Sequence, residues 1–315
     1  MLLGFATTFV SPTPALAAST DRFADVVFVV DESGSMGGEH AWLKNAVVAL
    51  EAEFNAAGIG NGADINQYGL VGFSVGKSNA QRVSHQVGNG KLGSSNDLVT
   101  ALAQLSLDGN IEDGYAGMDE ALSYPFRPGS SVNIVLVTDE DRDNTDASLT
   151  YSSILSNFST QNALLNAVVN INLKDDKGTT ALGFDGNKNA YLPDGNGGYV
   201  MSSAGVAVSE AGTTEKDYAK LAWTAQNGSA VGAVWDLNQL RQGGLIADSF
   251  SQAFAEVKVQ EIIETPTPKP VPVLPPCQSV KCSEFANQKD AQALFNALPD
   301  DRFGLDPDRD GIACE

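Results

Sequence analysis

The chain has 315 residues, enough for about two domains at ~150 residues each, and its 39 Asp and Glu against 19 Lys and Arg leave a net charge of −20. A polyanion of this kind repels nucleic-acid phosphates and anionic membrane surfaces, so no nucleic-acid partner is expected. At 43% hydrophobic and 18% charged residues the chain is too apolar to stay disordered, and no apolar run reaches the ~18 residues that a membrane span needs.

Residues 1–18 hold a short apolar stretch ending in Ala15-Leu16-Ala17, the shape of a secretory leader with its small-residue cleavage site, although no Lys or Arg precedes Arg22. Export is therefore expected, to a secreted, extracellular or cell-surface location. The cysteines, Cys277, Cys282 and Cys314, all lie near the C-terminal end, which agrees with an oxidising compartment. His40 and His85 are the only histidines, so inventory excludes a His/Cys zinc site in the main body.

Five continuous apolar runs predict buried strands: Asp25–Val30, Tyr68–Val75, Val132–Thr138, Leu164–Leu173 and Ala230–Leu237. Helical spacing lies between them. Leu43, Val47, Leu50 and Phe54 predict a helix over Ala41–Ala57, and Leu98, Leu102 and Leu105 predict another after Asn96-Asp97. Further helices are predicted over Glu112–Leu122, Ser148–Phe158, Tyr218–Ala225 and Gly244–Val257. Gln81–Val87 reads as a short polar edge strand paired by a hairpin with the second strand. Lys174–Glu210, rich in Gly, Asn and Asp, reads as an inserted hairpin. Within it Asp185-x-Asn187-x-Asn189 imitates a calcium loop, but Ala190 stands where the sharp turn needs Gly, so a hairpin turn is expected. Strand–helix alternation with continuous strands implies an α/β fold, a doubly wound and mostly parallel sheet with helices on both faces.

After Glu264 the texture changes to Thr265-Pro-Thr-Pro-Lys-Pro-Val-Pro-Val-Leu-Pro-Pro276. Alternating proline favours polyproline II, a semi-rigid spacer of roughly 37 Å. The segment beyond it is too small to stand on its own core without a disulfide or a metal. The expected organisation is a leader at 1–18, a large domain at 24–263, a linker at 264–277 and a small domain at 278–315.

Two constellations carry chemistry. The first strand runs into Asp31-Glu32-Ser33-Gly34-Ser35, and the strand Val132–Thr138 runs into Asp139-Glu140-Asp141. If these strands are neighbours, the two loops share the crevice at the C-terminal edge where strand order reverses. A few hard oxygen ligands, some of them hydroxyl, suit Mg2+ or Mn2+ with waters retained, or Ca2+ less tightly. The alternative role for Ser33 and Ser35 is to cap the next helix. With its Asp-x-Ser-x-Ser after an apolar strand, the segment Asp25–Ile263 resembles a von Willebrand factor type A domain with a metal-ion-dependent adhesion site, a Rossmann-like fold. The resemblance implies Asp31, Ser33 and Ser35 as ligands from the first loop and Asp139 from the fourth-strand loop. It also implies a Thr from a middle loop. Here that loop reads Gly109-Asn110-Ile111-Glu112-Asp113-Gly114, without Thr, leaving Glu112 or Asp113 to take the place. An additional carboxylate would make the ion less electrophilic and less in need of an anionic ligand from a partner.

The second constellation is Asp306-Pro-Asp308-Arg-Asp310-Gly311-Ile312, with carboxylates at positions one, three and five, Gly at six and a backbone carbonyl at seven. This is the opening of a Ca2+ loop, whose EF-hand Glu would fall beyond Glu315. Together with Lys281-Cys282-Ser283-Glu284-Phe285-Ala286 and Ala291-Gln292-Ala293-Leu294-Phe295, the segment is similar to an excalibur domain, an extracellular calcium-binding module of bacteria. The resemblance implies Asp306, Asp308 and Asp310 as Ca2+ ligands, with Glu315 or the Ile312 carbonyl as further candidates, and a Cys282–Cys314 disulfide. Cys277 is left over.

The function expected is a secreted, divalent-cation-dependent binding or adhesion protein, not an enzyme. Its partner would be a protein or surface ligand that offers an acidic group to the ion. A matrix or surface component whose ions only staple the fold is the alternative. A metal-dependent hydrolase is disfavoured, because no histidine or general base is expected beside the ion. Gly72-Phe73-Ser74-Val75-Gly76 matches a nucleophile elbow, but no helix start follows and no acid lies between it and His85.

Overall fold

The computed structural model describes residues 22–74, 82–208, 213–265, 281–285, 287–297, 305–306 and 312–314. The first strand, β1 (Ala24–Asp31), is buried along its whole length. It can be so because its apolar residues serve two cores at once. Val26, Phe28 and Val30 face one layer of helices, while Val27 and Val29 face the other.

The strands that follow are β2 (Gln67–Phe73), β3 (Arg82–His85), β4 (Ser131–Thr138), β5 (Ala163–Val169) and β6 (Asn172–Asp175). Then come β7 (Gly183–Phe184), β8 (Asn189–Pro193), β9 (Tyr199–Val208), a small β10 (Gln226–Asn227) and β11 (Ala230–Val231) hairpin, and β12 (Val234–Asp236). The main sheet has ten strands in the order β3-β2-β1-β4-β5-β12-β7-β8-β9-β6. The pairs β2–β1, β1–β4, β4–β5 and β5–β12 are parallel; the remaining pairs are antiparallel. One helical layer holds α1 (Gly37–Ala56), α2 (Ser95–Ala101), α6 (Leu237–Arg241) and α7 (Gly244–Glu264). The other holds α3 (Gly114–Leu122), α4 (Tyr151–Gln161) and a short α5 (Lys220–Ala222) that continues a π-helical turn over Glu215–Ala219. The chain is thus mixed α/β, a large sheet flanked by helices.

Several elements differ from the sequence-based expectation. The run Leu164–Leu173 breaks between β5 and β6. The run Ala230–Leu237 breaks at Gly232, which lies so close to β5 that a Cβ there would sit 1.9 Å from the Leu165 carbonyl oxygen. The segment expected as one hairpin supplies β7, β8 and β9, which with β6 extend the sheet in antiparallel fashion, so only its central part is parallel. Asp185 does make a turn: its Oδ1 accepts from the backbone N–H of Asn187 at 2.9 Å and of Asn189 at 2.8 Å. Gln81–Val87 is met by β3, antiparallel to β2. α7 runs to Glu264, past the predicted end at Val257, and its last turns carry Lys258 and Glu261 alongside the buried Val259 and Ile262.

Near the C-terminus α8 (Gln288–Ala297) packs Ala291 and Leu294 with Leu305 and Ala313, and Cys282 is joined to Cys314. The leader expected at 1–18, Cys277 and the residues after Thr265 expected as a linker lie outside the described residues. No described helix is long and apolar enough to cross a membrane.

Candidate metal centre

β1 and β4 pair in parallel with Val30 opposite Val137, so Asp31 and Thr138 are neighbours at the C-terminal edge of the sheet. Both are fully buried. The Thr138 hydroxyl donates to Asp31 Oδ2 at 2.7 Å, and the Ser33 backbone N–H donates to Asp31 Oδ1 at 2.7 Å. Burial pushes the Asp31 carboxyl up to about 6 in spite of these bonds, and the nearby Asp139 charge pushes the same way. A buried anion whose donors do not offset its desolvation remains electrostatically unsatisfied, which is the condition that a cation relieves.

The hydroxyls line up from this carboxylate outward. Ser35 Oγ donates to Asp139 Oδ1 at 3.0 Å, and Ser33 Oγ lies 3.1 Å from Ser35 Oγ. The Ser35 proton is directed to Asp139, and the Ser33 hydroxyl lies between Ser35 and the Asp31 carboxylate. Ser33 makes no side-chain cap on the short 3-10 turn Gly34–Met36, so these serines are not spent on helix capping. On the far side, Arg241 donates to Asp139 Oδ2 at 2.7 Å and also to the buried Glu39.

The middle loop is brought in by Gly109. Its N–H donates to the Glu32 carbonyl at 3.0 Å, and it bridges Ser33 in parallel. It must be glycine there, because a Cβ would lie 1.3 Å from the Ser74 carbonyl oxygen. Ser74, in the left-handed region at φ 72°, donates its hydroxyl to Glu112 Oε1 at 2.9 Å. Burial pushes the Glu112 carboxyl up to about 7 against that bond, with the charges of Asp31, Asp143 and Glu140 adding to it. Asp31 being among those charges, Glu112 belongs to the same acidic edge.

Asp113 is committed elsewhere. It caps α3 through the Tyr115 N–H, receives Arg142 Nε at 2.7 Å, and accepts both the N–H and the hydroxyl of Thr145. For the other middle-loop candidate, Glu112, the Asp31 charge is one of those that raise its carboxyl.

Sequence reasoning missed four contributors: Thr138, Ser74, Arg241 and His40. His40 Nε2 donates to the Asp31 carbonyl oxygen at 2.8 Å, so a histidine does stand beside this edge, contrary to expectation, but with that nitrogen engaged. Beside the acidic edge lies a cleft of about 600 Å3, lined among others by Ser35, Trp42, Asp139, Arg241 and Ala247. It joins an apolar wall to a guanidinium and the outer end of the hydroxyl row.

In the C-terminal segment Asp306 is buried and Ile312 is exposed. Asp308, Asp310 and Glu315 lie outside the described residues. The disulfide between Cys282 and Cys314 has Cα atoms 5.3 Å apart, and the Ala313 N–H donates to Gln292 Oε1 at 2.7 Å, tying the C-terminal turn to α8.

Among the described residues no three His, Cys, Asp or Glu side chains converge in a metal-holding group. The Asp31 set is instead mixed, two aspartates with two hydroxyls, and hard oxygens of this kind fit Mg2+ or Mn2+ completed by water.

No family model and no curated protein matches this chain. Two structures of proximal thread matrix protein 1 from the mussel byssus align with it at 19% identity and a TM-score of 0.37, over 47% of this chain and 35% and 36% of those chains. A likeness at that level carries no argument about function.

Proposed function

We propose that this chain is a secreted, divalent-cation-dependent binding protein built on a von Willebrand factor type A domain, with an excalibur-like calcium-binding tail. The observation that carries the proposal is the Asp31 carboxylate, buried at the strand edge and continued outward by Ser33, Ser35 and Asp139 within hydrogen-bonding distance of one another. Mg2+ or Mn2+ would be held by Asp31, Ser33, Ser35 and Asp139, directly or through water, with Glu112 behind them. The bound ion supplies a positive centre for an acidic group of a protein or surface ligand, and Arg241 and the adjoining cleft supply the rest of the contact. The tail would hold Ca2+ through Asp306 and its neighbours in the sequence.

Titration calorimetry of Mg2+ and Mn2+ onto the full chain tests the first site. Asp31→Ala is expected to weaken binding by more than about 100-fold, and Ser33→Ala by about tenfold, since a lost supporting partner alone typically removes 10–100-fold. Unchanged affinity in Asp31→Ala would remove the assignment. Pull-down of acidic peptides with Mg2+ and with chelator then separates a binding role from ions that only staple the fold.

A further inference from the structure

Far from the acidic edge, the last turns of α7 bring a lysine into the protein interior. Lys258 is fully buried, and so is Asn133 on β4; Glu261 is 4% exposed. Lys258 Nζ donates to Asn133 Oδ1 at 2.7 Å and to Glu261 Oε2 at 2.7 Å. Asn166 on β5 turns its amide to the same carboxyl, with Nδ2 donating to Glu261 Oε1 at 3.0 Å and to Oε2 at 2.9 Å. The Trp235 indole N–H donates to Asn166 Oδ1 at 3.2 Å, which sets that amide's orientation.

An apolar pair of similar volume would fill this space at no loss of stability, since removing two charges from water is rarely repaid by their attraction. The arrangement makes better sense as chemistry. Burial pushes the Lys258 amine down and the Glu261 carboxyl up, and both shifts favour the neutral forms. A neutral amine is a nucleophile, a carboxamide is an acyl donor, and a carboxyl 2.7 Å from the amine can move protons. Fixed contact among buried groups also replaces a bimolecular encounter by an intramolecular one, worth effective molarities on the order of 10^5–10^8 M when the alignment is good.

We propose that Lys258 and Asn133 form an intramolecular amide cross-link, promoted by Glu261. Lys258 Nζ attacks Asn133 Cγ, the new Nζ–Cγ bond forms, and the Cγ–Nδ2 bond breaks. Glu261, neutral at the outset, gives its proton to the departing Nδ2, which leaves as ammonia, and takes one from Nζ in exchange, so that it ends neutral again. Nothing is oxidised or reduced, and no co-reactant is consumed. Asn133 is the acyl donor because the Lys258 amine already lies on its carbonyl oxygen, while its Nδ2 is held only loosely, at 3.3 Å from both Ser131 oxygens. Asn166 is a positioning residue, its carbonyl taken by Trp235 and its amide holding Glu261. The bond would close a loop of 125 residues in sequence separation and tie α7 to β4 within the sheet. It is independent of any ion at Asp31.

Mass spectrometry of the full chain, unfolded and digested, decides the matter without any variant. The expected product is a branched peptide joining the segments around Asn133 and Lys258, lighter than their sum by one ammonia. Full recovery of the two unlinked peptides from folded protein would overturn the proposal. Asn133→Asp should give the same branched peptide with loss of one water instead. Glu261→Gln, close in shape but unable to shuttle the proton, should leave the peptides unlinked. Complete linkage in Glu261→Gln would overturn the role given to Glu261.

Discussion

Asp31 concentrates the tension of the acidic edge in one side chain. Its carboxyl lies near 3.8 in an ordinary setting and about 6 in the fold. The folded state therefore holds this proton more tightly than the unfolded state does. In chelator, the contribution of this group to stability falls as pH rises from about 4 to about 6, by up to about 3 kcal/mol at 1.36 kcal/mol per pH unit. Asp31→Asn removes the buried charge while Thr138 can still hydrogen-bond the amide. At pH 7 in chelator it is expected to raise the melting temperature, yet to abolish any stabilisation by Mg2+; melting scans with and without the ion check both. Gly109→Ala has the opposite character, because its methyl would meet the Ser74 carbonyl. It should cost about 3 kcal/mol or more, by the usual scale for overpacking, in denaturant unfolding. At this scale the sequence was legible where the signal is local. Asp31, Ser33 and Ser35 fall within five residues after an apolar strand. Their supports did not announce themselves: Thr138 reaches Asp31 across 107 residues, and Arg241 reaches Asp139 across 102. Nothing in a local window marks such partners.

Among the elements, the turn between α6 and α7 decides where Arg241 ends up. Gly243 and Gly244 follow it in succession with φ of 67° and 54°. An L side chain in that region costs roughly 1–2 kcal/mol. Gly243→Ala and Gly244→Ala are each expected to lower unfolding free energy by about that much. Arg241→Ala should leave Mg2+ affinity within several-fold, while reducing capture of acidic peptides more strongly, because it removes a cation from the cleft wall. Peptide binding measured at saturating Mg2+ separates the two effects. Strand identity was legible for the central sheet because burial on both faces forces continuous apolar runs, as in β1 and β4. It was not legible for the Lys174–Glu210 segment. There the polar residues make Asx turns, as at Asp185 and at Asp194, whose Oδ1 accepts the N–H of Asn196 and Gly198. Those turns separate short strands that carry little apolar signal. The helix α7 ran past its predicted end for a related reason: Lys258 and Glu261 look like a solvated face in sequence, and only the sheet beneath them makes them interior.

For the whole molecule, the two ends of the chain differ in what holds them. The large sheet carries two extensive cores, whereas among the described residues the cluster around α8 has four buried apolar ones, Ala291, Leu294, Leu305 and Ala313. Its disulfide spans 32 residues, worth about 3–4 kcal/mol in the chain-entropy model. Reduction should therefore release α8 before the sheet. Hydrogen exchange on the full chain is expected to show faster exchange across Gln288–Ala297 on reduction, and slower exchange in the oxidised protein when Ca2+ replaces chelator. Equal exchange with Ca2+ and chelator would count against the calcium loop.

The Arg22 side chain donates to the carbonyl oxygens of Ile262 and Thr265, at 2.6 and 2.8 Å. The Ser131 hydroxyl, at the start of β4, donates to Thr265 Oγ1 at 3.2 Å. The chain thus enters and leaves the large fold side by side, at the edge of the sheet opposite Asp31. A pull applied along the polypeptide enters and exits through that one corner. It loads the Arg22 clamp and the last turns of α7, and it bypasses the loops that carry Asp31 and Asp139. A chain held at either end of this fold would present its acidic edge away from the point of attachment, and tension along it would leave that edge unloaded.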